Sequence, residues 1–234
     1  MWLWGIERQR PEMVDVAVPS RRRVQRQEGL VVCRRADMDL IAHPAALPRR
    51  LRLEEALLDV ASRERRVEAV LMPVFRAIQT RKTTAAKIAD ALARRRAHGR
   101  RRLLEEVLEE VRAGIQTPLE RRYLRDVHRP HGLPAVTCNQ QQSDGRVNRY
   151  RDFGYEGWGV VVEVDGQEAH PREENFRDRR RDNAVVVIGA RTLRYGWAEI
   201  AVDPCGVAAE VVAVLRLRGW RGTPRACGPG CAVG

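Results

Sequence analysis

Lysine is nearly missing from this 234-residue chain: Lys82 and Lys87 are the only two, so the net charge of +12 is carried by arginine. Long apolar runs are missing too. No stretch approaches the roughly 18 to 20 residues that cross a bilayer, which excludes a transmembrane helix. The opening Met1-Trp2-Leu3-Trp4-Gly5 is apolar, but it is too short for a signal-peptide core, has no basic lead and runs into Glu7, Arg8 and Arg10. A cytoplasmic protein with no membrane partner is expected. The five cysteines, Cys33, Cys138, Cys205, Cys227 and Cys231, are odd in number and scattered, unlike a secreted disulfide framework, so reduced thiols are expected. No Cys and His stand at a spacing that reads as a catalytic thiol. Internal repeats and low-complexity linkers are absent as well.

What is present is a globular composition, 44% hydrophobic and 32% charged, in a chain long enough for one large domain or two small ones. The positive charge suggests a polyanionic partner, with nucleic acid first, because basic side chains release condensed counterions when they neutralise phosphates. A GC-rich genome that inflates Arg, Ala, Val and Gly accounts for the same numbers. Short strand-like pieces, Val14 to Val18 and Leu30 to Val32, flank the basic cluster Arg21-Arg22-Arg23. From Leu53 the period becomes helical: Leu53, Ala56, Leu57 and Val60 share one face, then Val67, Val70, Leu71, Val74 and Phe75, with Pro73 expected to kink or interrupt that second helix. Thr83 or Thr84 caps a third helix, and Leu103 to Val111 form a fourth, closed by Gly114. The run Arg94 to Arg102 reads as a solvated helix end, with a phosphate grip as the alternative. Residues 1–113 are thus a strand-then-helical region, and the turn Ala113-Gly114 is the best boundary.

Residues 114–234 change character. Thr117-Pro118-Leu119-Glu120 supplies a helix cap, a proline at the first helical position and a glutamate at the third. Strand-like stretches follow at Val147 to Phe153, Val160 to Val164 and Thr192 to Tyr195, with a charged helix from about Arg172 to Ile188 and a last helix from about Asp203 to Leu217. The order predicts an α/β layer architecture. Side chains alternate along a strand, so Glu163 and Asp165 share a side opposite Val162 and Val164. Asp152, at the end of a neighbouring strand, would join them. Carboxylates held that close call for a cation, and a hard divalent ion such as Mg2+, with Mn2+ as a substitute, suits the oxygen donors Asp152, Glu163 and Asp165.

The run from Thr117 to Trp197 resembles the PD-(D/E)XK nuclease superfamily, in particular its branch like the very-short-patch-repair (Vsr) endonucleases. The matching positions are Glu120 on the first helix, Asp152 on a hairpin, Glu163, Asp165, Gly166 and His170 on and after the next strand, Asp178 and Arg181-Asp182 on a helix, and Leu193-Arg194-Tyr195 on a further strand. The resemblance implies a restriction-endonuclease-like domain, a mixed sheet flanked by helices, preceded by a small mainly helical domain. It implies a metal-dependent endonuclease or nickase acting on DNA through Glu120, Asp152, Glu163, Asp165 and His170, with Arg181 and Arg194 as DNA contacts. Asp165 stands where the superfamily's name places a lysine, which leaves His170 to transfer protons. More loosely, Val18 to Arg23 and Leu53 to Ala61 resemble the middle region of AbiEi-like regulators or antitoxins. Their winged helix has no counterpart here, and the start at Met1-Trp2-Leu3 reads as truncated.

Duller readings stand beside these. Glu120 completes a capping box with Thr117, Asp165-Gly166 makes a turn, and Asp178, Arg181 and Asp182 form helix-surface ion pairs. A non-enzymatic DNA-binding regulator or antitoxin that keeps a nuclease-like fold, acting with an unknown toxin partner or partner domain, is the alternative function. The tail Cys227-Gly228-Pro229-Gly230-Cys231 suggests zinc, with Cys205 and His131 as conceivable further ligands. Structural zinc commonly shows two paired ligand clusters, however, so an adventitious or redox-labile pair is expected.

Overall fold

The structure, a computed structural model, describes residues 1–25, 27–143, 148–165 and 192–233. The chain divides into two compact units, Met1–Glu109 and Glu110–Gly234. Among the described residues no helix is long and apolar enough to cross a membrane.

In the first unit, β1 (Val14–Pro19) and β2 (Leu30–Arg35) pair in parallel, from Val14 opposite Leu30 to Pro19 opposite Arg35. The short helix α1 (Met38–Ile41) precedes α2 (Leu53–Arg63), α3 (Val67–Gln79) and α4 (Ala85–Arg94), and α2 packs against the other two long helices. Their buried stripes fall where the 3.6-residue period puts them: Leu57, Leu58 and Ala61, then Val70, Leu71 and Val74, then Ile88 and Leu92. Thr84 is the cap of α4, accepting the Lys87 N–H at 3.3 Å. Helix α3 runs unbroken through the buried Pro73, against the expected interruption; the missing N–H removes one rung without ending the helix.

The arginine run after α4 is not a solvated helix end. Glu55, 2% exposed, accepts from Arg95 at 2.8 Å and from Arg94 at 3.2 Å, and Arg95 also pairs with Asp59 at 2.8 Å. Arg100 donates to the carbonyls of Glu64 and Arg65. A buried carboxylate needs such partners, so much of the run is folded back onto α2 and its C-terminal end.

Helix α5 (Arg101–Arg112) contains the division between units. Glu110 belongs with the second, where its carboxylate takes Arg121 at 2.6 Å and Arg129 at 3.0 Å. There α6 (Pro118–Arg122) continues as a π-helical segment, Tyr123–His128. Four strands form one sheet in the order β3 (Thr137–Ser143), β4 (Asn148–Tyr155), β5 (Val160–Asp165) and β6 (Thr192–Gly196). The first two pairings are antiparallel and β5–β6 is parallel, so the unit is mixed α/β with a mixed sheet. Helices α7 (Trp197–Val202) and α8 (Pro204–Leu217) follow; α7 packs on α6, β6 and α8, and α8 packs on the π segment. Phe153, Val162 and Leu193 pair across β4, β5 and β6 and are fully buried, as is Tyr123, whose ring lies 4.5 Å from that of Phe153. One side of the sheet is therefore core.

Candidate functional site

Because paired residues share a face, the carboxylates fall on the side of β5 opposite Val162 and Val164. Valine fills the buried side of the strand; Glu163 is half-buried and Asp165 exposed. Glu163 stands opposite Arg194 of β6 and accepts its Nε–H at 2.8 Å.

The paired register of β4 with β5 ends at Phe153 and Val162, and beyond that point the Asp152 side chain takes over: its Oδ2 accepts the Val164 N–H at 2.7 Å. Burial pushes the Asp152 carboxyl above its ordinary value; the Val164 N–H opposes this, and the nearby charges of Glu163 and Asp165 add to it. Glu163 and Asp165 thus share one side of β5, as its alternation predicts, and their charges reach Asp152 on β4.

Glu120 joins them from α6, which packs against β5. Thr117 accepts the Glu120 N–H at 3.0 Å, half of a capping box. The other half is displaced: Glu120 Oε2 takes the Gln116 N–H at 2.8 Å and the Asn139 side-chain N–H at 2.6 Å. Burial raises the Glu120 carboxyl above its ordinary value, and Asp152 is close enough to raise it further. The sequence carries no signal for Asn139, a polar residue of β3 at a positive φ of 49°. His170, Arg181, Asp178, Asp182 and the helix expected between Arg172 and Ile188 lie outside the described residues.

The chain has no match among family models, curated proteins or solved structures. Its chemistry rests on its own geometry. Carboxylate oxygens such as those of Asp152, Glu163 and Asp165 are the donors that Mg2+ and Mn2+ take, but among the described residues these groups do not stand close enough together to hold one ion as they are placed. In their present rotamers, the groups face protein donors: Val164 N–H for Asp152, Arg194 for Glu163, Gln116 and Asn139 for Glu120. Arg194 occupies Oε2 of Glu163, so an ion at Glu163 would compete with the guanidinium for that carboxylate's charge.

Proposed function

We propose that the second unit is a restriction-endonuclease-like domain that hydrolyses DNA phosphodiester bonds as an endonuclease or nickase, with Mg2+ or Mn2+ held by Asp152, Glu163 and Asp165. The observation carrying this reading is the acidic set at the point where β4 and β5 part, with Asp152 pushed up by burial first and then by the charges of Glu163 and Asp165. The ion would polarise a phosphate oxygen and help ionise an attacking water.

The side chains divide the remaining work. Arg194, at the edge of the cluster, binds a phosphate oxygen once Glu163 turns to the ion. Glu120 Oε2 is held by two donors, which fixes the carboxyl and presents Oε1 as a proton acceptor of raised affinity. The +12 charge draws the polyanion to the surface. His170 and Arg181 keep the roles that the resemblance gives them, proton transfer and backbone contact.

A second reading, a DNA-binding regulator or antitoxin with a nuclease-like fold, draws on a specific observation: Asp152, Glu163 and Glu120 are engaged by protein donors, as structural carboxylates are. Nicking of supercoiled plasmid in Mg2+ or Mn2+ separates the two. Cleavage by the parent chain that disappears in both Asp152→Ala and Glu163→Ala supports the enzyme. DNA retained in a gel shift without any cleavage supports the regulator.

A further inference from the structure

A different set of side chains converges in the second unit, and its donors are soft. His131, Cys205, Cys227 and Cys231 each offer a ligand atom, and all four atoms lie within 4.8 Å of one another. His131 closes the turn after the π segment and is fully buried. Cys205 sits in the first turn of α8, after the cap Asp203 and Pro204. Cys227 and Cys231 lie in the tail with three residues, Gly228-Pro229-Gly230, between them, and the Cys231 N–H is bonded back to the Gly228 carbonyl.

The imidazole gives a second, independent observation. His131 Nδ1 lies 2.7 Å from the Val127 carbonyl oxygen. A carbonyl can only accept, so Nδ1 carries the proton and Nε2 is left with its lone pair. That Nε2 is buried and has no hydrogen-bond partner. A backbone carbonyl fixing one ring nitrogen so that the other faces a ligand is the arrangement of metal-binding histidines.

The tail supplies the third observation. Residues 221–233 form no helix or strand and are mostly exposed. Yet the Arg225 N–H bonds the His131 carbonyl at 2.9 Å, and the tail returns both thiols to one spot. Little apolar burial stabilises that return.

The geometry points to a structural Zn2+ site in which His131 Nε2 and the sulfurs of Cys205, Cys227 and Cys231 bind one ion and clasp the tail to the π segment and the start of α8. Three thiolates and an imidazole suit zinc, and four protein ligands close the coordination shell, so the site is structural and distinct from the hard carboxylate cluster. Zinc–sulfur bonds of about 2.3 Å imply sulfurs about 3.8 Å apart in a tetrahedron, and Cys205 and Cys227 stand at 3.4 Å. On binding, the thiol protons pass to solvent and the free energy of coordination becomes free energy of folding for the tail. A disulfide between two of the cysteines would leave the His131 lone pair buried and unused. All five cysteines are free thiols.

The test uses the full chain, reduced and without nucleic acid, so it stands apart from any result on cleavage. Elemental analysis after dialysis is expected to find one Zn2+ per chain, and Co2+ in its place is expected to give the visible bands of a tetrahedral thiolate complex. Cys231→Ser, a change in an exposed tail, should keep the far-UV circular dichroism of the parent. It should weaken Zn2+ in competition with a chromophoric chelator by more than about tenfold, the lower limit for loss of an outer-shell partner. Cys33→Ser, in the first unit, should change nothing. A folded, reduced chain that retains no zinc would overturn the proposal, as would zinc content indifferent to Cys227→Ser and Cys231→Ser.

Discussion

Replacing Arg194 by alanine should have opposite effects on two ligands. The Arg194 guanidinium is 2.8 Å from the Glu163 carboxylate, with the two side chains 73% and 35% exposed. At that exposure the surroundings screen almost as water does, so two unit charges about 4 Å apart interact by about 1 kcal/mol, and the pair adds at most about that to stability. An ion bound at Glu163 would compete with the guanidinium for the same carboxylate and forfeit up to that amount. Arg194→Ala should therefore tighten Mn2+ or Mg2+ binding about fivefold, while DNA binding weakens and the slope of log affinity against log salt falls by about one charge. Calorimetric titration of the metal and gel shifts at several salt concentrations read the two effects. Metal binding that weakens or stays the same in Arg194→Ala would refute the idea that Glu163 is a ligand held in reserve by Arg194.

Two further changes probe the carboxylates. The Asp152 carboxyl sits above its unfolded value, so its contribution to stability is complete below that value and is lost as pH rises through the folded one. Asp152→Asn removes this dependence, and its melting temperature relative to the parent should climb as pH rises above the ordinary carboxylate range; a constant difference would contradict the burial and charge account. Glu55→Ala leaves Arg95 with Asp59 as its carboxylate partner and the residue 55 carbonyl as acceptor, and should destabilise the first unit by about 3 kcal/mol, the low end for breaking a buried pair. Hydrogen exchange of the α2 amides measures it, with the exposed Arg96→Ala, expected within about 0.5 kcal/mol of the parent, as the control; a similarly small loss for Glu55→Ala would return the arginine run to the solvent.

What could be read from the sequence was local. Thr84, Thr117 and Asp203 mark helix starts because a short side-chain oxygen next to a periodic stripe does one thing well. The valines of β5 and the alternation of Glu163 with Val164 made both the strand and its acidic side visible. The segment Thr137 to Ser143 has almost no apolar residue, so nothing in it announces β3; it is a strand because β4 offers it a ladder. The sequence contains both partners of the Glu55–Arg95 pair, but a contact 40 residues apart is invisible until α2 and α4 pack. Cys205 and His131 could be named beside the tail cysteines from the sequence, but only the return of the chain shows that the four ligand atoms converge.

The π segment gives this stretch a tolerance in chain length. The Arg129 N–H reaches back five residues to the Leu124 carbonyl, so this stretch holds one residue more than an α-helix would over the same hydrogen-bonded loop. A chain one residue shorter between Tyr123 and His128 is expected to close an ordinary helix over this stretch, because the bulge absorbs the extra residue locally and the flanks, Leu119 on one side and His131 on the other, keep their faces.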